Sequence, residues 1–351
     1  MGCKRSLNQQ TARFSDFMNR ESIPLQLSTA KKEAATRFLT DSARAAYSTR
    51  AVSYQLDLNI VGVGIGKKIK SGQPTGTDAV RVYVNRKFPK AQIPQPQLVP
   101  PTIRGVPTDV VETGRFKAFT MPPAPTTPRD RWRPIRPGTS IGPPPIGNMV
   151  EAGTLGAIVK SGGAQYLLSN NHVLANEDKL PVGTAIFQPA LLDKGSQATD
   201  RVASLSKTVP LSPRGPNSVD CAIAAIDKTI TSDPTILPKV GKLATTSPID
   251  ATDGMKVHKV GRTTGYTTGS VLDISADVNI QYDIGTLTFQ GQILIAPDQG
   301  QMFSDAGDSG SLIVDRGLGR ATGLLFGGSP KSTIANHISD VLTALQIQLA
   351  G

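Results

Sequence analysis

The sequence predicts a mainly β protein: an antiparallel barrel or sandwich preceded by a small α+β module. The 351 residues include 34 Gly and 27 Pro but only 5% aromatics. That composition suits many short strands joined by turns better than a helical bundle. From Gly153 onward, short apolar runs recur between Gly-rich turns: Gly156-Ala157-Ile158-Val159, Tyr166-Leu167-Leu168, Cys221-Ala222-Ile223-Ala224, Gly269-Ser270-Val271-Leu272, Ser311-Leu312-Ile313-Val314 and Gly323-Leu324-Leu325-Phe326. Such spacing is the mark of an antiparallel β domain.

Ahead of that domain the texture differs. Residues 1–25 are polar and irregular and read as a flexible tail. From Ser28 to about Ser48, Ala30, Ala34, Ala35, Phe38, Leu39, Ala45 and Ala46 keep a helical period, with Ser28 as the expected N-cap. Residues 60–67 and 79–84 alternate as two strands around a turn at 71–76, and a third short strand is expected at 108–112. Residues 26–118 therefore form the α+β module. Residues 119–150 are proline-rich and read as an extended linker. Residues 151–351 form the β domain, which closes on a helix from Ile338 to Leu349 carrying Val341, Leu342, Leu345 and Leu349 on one side.

Charge is unevenly spread. The formal net charge is +11, with 23 Lys/Arg against 9 Asp/Glu in residues 1–150 and 15 against 18 in the remainder. A basic front half can attract nucleic acid or an acidic partner, although solvated surface is the simpler account. The two cysteines, Cys3 and Cys221, do not suggest a disulfide framework. No apolar h-region follows Met1 and no apolar stretch reaches membrane-spanning length, so a soluble, cytoplasmic protein is expected. Gly2 with Ser6 formally matches an N-myristoylation pattern, and Cys3 beside it offers a second acylation point. That match is short enough to arise by chance.

Gly62, Gly64 and Gly66 precede two lysines, but their spacing fits neither phosphate-loop pattern. Glycines in a strand instead mark close backbone approach or a bulge. Two cysteines and three scattered histidines supply no metal-ligand spacing, so neither metal nor cofactor is expected.

The chemistry centres on Asp305-Ala306-Gly307-Asp308-Ser309-Gly310-Ser311. A serine hydroxyl attacks a carbonyl only with a base in reach, a group fixing the base's tautomer, and donors for the oxyanion. A glycine-rich turn exposes Ser309 and lets the backbone N–H groups of Gly307 and Ser309 form an oxyanion hole. The only histidines are His172, His258 and His337. An order of nucleophile, acid, histidine would need His337 and a G-x-S-x-G elbow, which Ser311 breaks. An order of acid, histidine, nucleophile would use His258, which lies in an alternating strand pattern. The order histidine, acid, nucleophile selects His172, Asp220 and Ser309.

Leu168-Ser169-Asn170-Asn171-His172-Val173-Leu174, Val219-Asp220-Cys221-Ala222-Ile223-Ala224 and Gly307-Asp308-Ser309-Gly310-Ser311 resemble the three catalytic motifs of trypsin-like serine peptidases. The resemblance covers 153–351 and implies a chymotrypsin-like double antiparallel β-barrel with the site between barrels. The runs at 61–66, 80–84, 169–174 and 303–309 are similar to those of the trypsin-like group that includes the plant narrow-leaf protein and its bacterial relatives. That narrower likeness implies a possible homo-oligomer.

Gly261-Arg262-Thr263-Thr264-Gly265 is similar to a segment of bacterial α-lytic-type proteases, which implies that Arg262 pairs with Asp308 without proteolytic activation. By the same resemblance, Phe303 and Ser304 form the floor of the substrate pocket and Phe326 and Gly327 its far wall. The reading is a serine endopeptidase acting on protein or peptide substrates. Two alternatives stand beside it: a protease-fold scaffold or binding protein with latent or no activity, and a protease effector recruited by a basic N-terminal module.

Overall fold

The computed structural model describes residues 23–39, 59–116, 127–147, 149–236, 239–299 and 301–350. The expected tail to residue 22, the acylation pattern at Gly2 and Cys3, the helical continuation past Leu39 and the prolines at 122–125 lie outside these residues.

Helix α1 (Leu25–Leu39) buries Leu27, Ala30, Ala34, Phe38 and Leu39 along one stripe. It begins earlier than the sequence suggests. The N–H of Ser28 donates to the carbonyl of Pro24 at 3.0 Å, so Ser28 lies inside the first turn and the chain enters the helix at Pro24. Strands β1 (Ile60–Lys70) and β2 (Gln73–Val84) form a hairpin through Ser71 and Gly72, both at positive φ (51° and 77°). That two-residue geometry matches the right-handed twist of the strands. Strand β3 (Thr102–Ile103) pairs with β4 (Val106–Glu112), and β4 runs parallel to β2.

Period-two alternation sorts these residues onto two faces. Val63, Ile65, Val80 and Val82 share an apolar cluster with the buried stripe of α1. Gly62, Gly64 and Gly66 form the opposite face of β1. A Cβ on Gly64 would lie 2.0 Å from Asp273 Oδ2, and one on Gly66 would lie 2.4 Å from the Arg81 guanidinium carbon. The glycines thus admit other chain segments at close range, as expected for glycines in a strand.

The first β unit comprises a short ribbon of β5 (Ser140–Ile141) with β6 (Gly153–Thr154), followed by β7 (Ala157–Ser161), β8 (Ala164–Ser169), β9 (Ala185–Phe187), β10 (Arg201–Thr208) and β11 (Ala222–Ile226). The one-turn helix α2 (Asn171–Leu174) follows β8. Strands β7, β8, β11, β10 and β9 are neighbours in that order, all antiparallel. Leu155, Ile158, Leu167, Leu174, Ile186, Val202 and Leu205 form their common core.

The second unit contains β12 (Lys256–Gly261), β13 (Gly265–Tyr282), β14 (Gly285–Pro297), β15 (Leu312–Asp315), β16 (Ala321–Ser329) and β17 (Ser332–His337). Pairing runs β12-β15-β16-β17-β14-β13 and returns from β13 to β12, which closes an antiparallel six-stranded barrel. Its interior holds Val257, Val271, Ile293, Ile295, Phe303, Ile313 and Leu325. The mainly β fold expected from the sequence is therefore present.

Helix α3 (Ile338–Leu345) stops sooner than its apolar spacing suggests, because Gln346 takes a left-handed conformation. The next residues form β18 (Gln348–Leu349), which pairs with β7 and joins the chain's end to the first unit. Val159, Leu168, Cys221, Val260, Leu312, Leu324, Val341 and Leu345 form one core between the two units. No helix among the described residues is long and apolar enough to cross a membrane.

Strand β13 is long enough to serve three neighbours. Its start pairs with β12, most of its length with β14, and its Asp277 and Val278 with Val63 and Gly62 of β1. The sheet of the N-terminal unit is therefore continuous with the second barrel. At this seam Asp273 accepts hydrogen bonds from the Tyr83 hydroxyl and the Ser275 N–H. Arg81 donates instead to the carbonyls of Leu272 and Lys67. Burial lifts the Asp273 carboxyl from 3.8 to about 6, against the opposing pull of Arg81.

Two outcomes follow for this seam. Replacing Gly64 by Ala overpacks it, so thermal or denaturant unfolding should show a loss of roughly 1–3 kcal/mol. The raised Asp273 value means that the folded state holds its proton at pH values where the unfolded chain has released it. Stability from this group is greatest below about pH 4 and declines as pH rises to about 6, by about 3 kcal/mol in all. Urea unfolding from pH 4 to 7 should show that slope flattened in Asp273→Asn; an unchanged slope would remove Asp273 as its source.

Candidate active site

His172 sits where β8 turns into α2, and that turn is organised by one carboxylate. Asp220, just before β11, is fully buried. Its Oδ1 accepts the backbone N–H groups of Asn171 (2.7 Å) and His172 (3.2 Å). Its Oδ2 lies 2.5 Å from His172 Nδ1 and accepts the hydroxyl of Tyr282 at 2.7 Å. Asn170 Nδ2 donates to the Asp220 carbonyl, and the Asp220 N–H donates to Asn336 Oδ1. With Asp220 accepting at Nδ1, the imidazole is held as the tautomer whose Nε2 has its lone pair free. His172 Nε2 is buried and has no hydrogen-bond partner among the described residues.

The segment Ala306–Ser311 turns tightly with Gly307 at φ 92° and Gly310 at φ 93°. The Gly310 N–H donates to Leu325, and the Ser311 N–H donates to Asp308. The N–H groups of Gly307 and Ser309 make no hydrogen bond among the described residues. Ser309 is almost completely buried, and its Oγ has no hydrogen-bond partner among the described residues.

Glycines bring this turn against α2. A Cβ on Gly153 would lie 2.6 Å from both γ-carbons of Val173 and 3.0 Å from the Ser309 carbonyl oxygen. One on Gly310 would lie 2.1 Å from Ser169 Oγ. The Thr154 N–H and hydroxyl donate to the carbonyls of Ser309 and Gly307. The nucleophile turn and the histidine turn thus face each other across Gly153, each presenting a buried polar atom without a partner.

The support of Asp308 differs from the expectation. Arg262 does not pair with it; Lys259 does, at 3.2 Å, with both side chains fully buried. Asp308 Oδ1 accepts the N–H groups of Thr263 and Thr264, and Oδ2 accepts the Thr264 hydroxyl and the Asp305 N–H. Lys259 lies on β12, just before the turn whose backbone cradles this carboxylate. Arg262 points away and forks onto Asp193 through Nε and Nη2. It thereby ties the second barrel to the loop after β9. The isolated motif around Arg262 hides this, because the choice depends on which side chain faces inward.

The residues expected to form the substrate pocket are packed rather than open. Phe303 belongs to the second barrel's core, and Ser304 Oγ lies 2.5 Å from Thr333 Oγ1. Phe326 packs on Phe289 with ring centroids 4.7 Å apart, and Gly327 is buried beside it. His258 contacts the Tyr266 hydroxyl on a strand, and His337 contacts the carbonyl of Ile274. Tyr282 and Lys259 escaped the sequence reading; alternation within their strands was the one available sign that they face inward.

Electrostatics favours a basic imidazole. Burial opposes its charge, but Asp220, by charge and hydrogen bond, with Glu151 and Glu177 farther off, outweighs burial and raises His172 above its ordinary value. Burial likewise lowers the Lys259 ammonium, and Asp308 offsets part of that.

Residues 223–337 match the family model described as the Nal1 C-terminal domain. The chain is 28% identical over 305 residues to Protein NARROW LEAF 1 of Oryza sativa subsp. japonica, covering 77% of this chain and 51% of that protein. It therefore spans about half the length of this curated relative. Among solved structures it is similar to Thermobifida fusca Protease A, at 19% identity and a TM-score of 0.45, covering 62% of this chain and 98% of that one. It is similar to the same degree to a glutamic acid specific serine protease described as using a histidine triad in substrate binding. That alignment has 19% identity and a TM-score of 0.45, and covers 62% of this chain and all of the other.

The exchange of partners at Asp308 is measurable. Removing one member of a buried ion pair costs roughly 3–5 kcal/mol. Lys259→Met should therefore destabilise the protein by about that much, and Lys259→Met with Asp308→Asn by less than the sum of the two. In the same double-mutant cycle, Arg262 should show little coupling to Asp308. Strong Arg262–Asp308 coupling would overturn the assignment.

Proposed function

We propose that this protein is a serine endopeptidase that cleaves peptide bonds through Ser309, His172 and Asp220. One observation carries the reading. A buried serine hydroxyl and a buried imidazole Nε2, both without hydrogen-bond partners among the described residues, lie on turns packed against each other, while a carboxylate fixes the far side of the imidazole. A buried polar atom without a partner costs stability, and such costs persist where function needs the group.

In this reading, Ser309 Oγ attacks the scissile carbonyl as His172 Nε2 takes its proton. The imidazolium stays hydrogen-bonded to the Asp220 carboxylate. The free N–H groups of Gly307 and Ser309 receive the developing oxyanion. His172 then returns the proton to the leaving amine, forming the acyl-enzyme. Water, activated by the same base, releases the acyl group. Because Lys259 supports Asp308 from within the barrel, no freed N-terminal amine is needed to shape the oxyanion site.

One observation favours a second reading, a protease-fold scaffold with latent activity. Phe303 and Phe326 occupy core positions where the resemblance implies a side-chain pocket.

Labelling purified protein with a fluorophosphonate separates the two. The peptidase reading expects labelling of wild type and none of Ser309→Ala, with His172→Ala reduced roughly 10⁴-fold or more. Labelling should rise with pH through a value above the ordinary histidine range, since only neutral His172 is a base. Asp220→Asn should shift that limb downward. Folded wild type that never labels would favour the scaffold.

A further inference from the structure

Tyr282 is the last residue of β13, and its hydroxyl donates to the same Asp220 oxygen that holds His172. The other donors to that carboxylate come from α2 itself. We propose that Tyr282 is the positioning residue that the second barrel supplies to the triad. We further propose that the N-terminal unit, by pairing with β13, holds it in place. The inference rests on the serine-peptidase reading.

Three sets of contacts support it. The Tyr282 ring is fixed on both sides: it stacks on Phe289 (5.9 Å, 24°) and meets His172 edge-on (5.9 Å, 80°). Burial and the neighbouring Asp220 charge raise its phenol well above the ordinary range, so it remains a donor at every working pH.

Next, the tip of the β13–β14 hairpin is clamped to the turn following α2. Both Glu177 carboxylate oxygens accept backbone N–H groups there, from Asp283 and Ile284, at 2.9 Å each. Lys179 adds an ion pair to Asp283 at 3.3 Å. Asn176, Glu177 and Asp178 all have positive φ (45°, 58° and 63°). Three consecutive non-glycine residues in that region carry backbone strain, which surrounding contacts must hold. Here it aims Glu177 at the hairpin.

Finally, the N-terminal unit grips the hairpin five residues before Tyr282. Gly62 and Val63 of β1 pair with Val278 and Asp277. Asp277 Oδ1 accepts Lys31 of α1 at 2.7 Å and the Gly291 N–H of β14 at 2.9 Å. One carboxylate thus joins α1, β13 and β14. The two strands approach too closely for a side chain at position 62, since a Cβ on Gly62 would lie 2.8 Å from the Asp277 carbonyl oxygen. These contacts form a continuous chain from α1 to the partner of the catalytic histidine.

The test uses the full chain with Tyr282→Phe, Lys31→Met and Gly62→Ala, and with Lys67→Met as control. The Lys67 side chain pairs with Asp78 inside the N-terminal unit, and Lys67→Met leaves its backbone contacts in place. Two readouts are taken: fluorophosphonate labelling rate against pH, and the ¹⁵N titration of His172. The His172 signal is identified among three histidines by its loss in His172→Gln.

Tyr282→Phe keeps the ring stack and removes one donor. The Asp220 charge then bears more strongly on His172, so its titration and the acid limb of labelling should move up. Labelling at pH 7 should fall about tenfold, the size of a lost hydrogen bond to a charged group. Lys31→Met and Gly62→Ala should cause the same upward shift, and Lys67→Met none. If Tyr282→Phe lowers melting temperature but leaves both pH curves in place, the positioning role is wrong. If Tyr282→Phe shifts them while Lys31→Met and Gly62→Ala do not, the link to the N-terminal unit is wrong. If wild type does not label, the peptidase reading fails, and the His172 titration alone still decides the role of Tyr282.

Discussion

A carboxylate sealed from water keeps its charge only if donors meet its oxygens from several directions. Two such groups, Asp220 and Asp308, organise this molecule. Asp220 gathers the backbone of α2, the ring of His172 and the end of β13. Asp308 gathers Lys259 of β12 and the Thr263–Thr264 turn onto the loop that carries Ser309. Asp220 draws its donors from two segments, 48 and 62 residues away, and Asp308 draws most of its own from a single turn 45 residues away. Satisfying the two charges fixes the orientation of the histidine turn and of the serine turn, which the close contacts at Gly153, Thr154 and Gly310 bring together.

The seams between parts are built on the same logic. Arg262 and Asp193 form a buried fork between the second barrel and the loop after β9. Lys31 and Asp277 join α1 to the hairpin of β13 and β14. Apolar clusters supply bulk adhesion, which is non-directional. The buried charges supply register, because each requires its partner at one distance and angle. Arg81 makes the point from the opposite side: it donates to two carbonyls and leaves Asp273 to Tyr83, and that carboxyl is the one held up to about 6.

Much of this was legible in the sequence, for reasons that are themselves physical. The strands at 156–159, 166–169, 311–314 and 323–326 announce themselves because alternation and turn chemistry are local. The Gly-Asp-Ser-Gly turn and the histidine and aspartate segments are legible because each is a short run with its own backbone demands. The glycines of β1 are legible as close-approach positions, although nothing local shows that β13 approaches Gly62 and Gly64 and that Arg81 of β2 approaches Gly66. Partner choice was the illegible part. Arg262 lies beside the right turn but faces Asp193, and Lys259, two residues inside a strand, faces Asp308. Tyr282 is 62 residues from Asp220, and only the closure of the second barrel brings them together. The C-terminal helix ends before its apolar spacing suggests, because the left-handed Gln346 leaves no mark in that spacing.

The pairing of β1 with β13 also sets a timetable for synthesis. Strand β1 emerges from the ribosome early, yet its partner residues Asp277 and Val278 follow roughly two hundred positions later. At ordinary elongation rates that is about 10–40 s during which the β1–β2 hairpin presents an unpaired, Val- and Ile-rich edge. Such an edge invites pairing with the wrong chain. Lys67, Lys68 and Lys70, at the end of that strand, are the kind of charge that discourages such pairing. Three of the basic residues of the front half thus lie where charge discourages mispairing during synthesis.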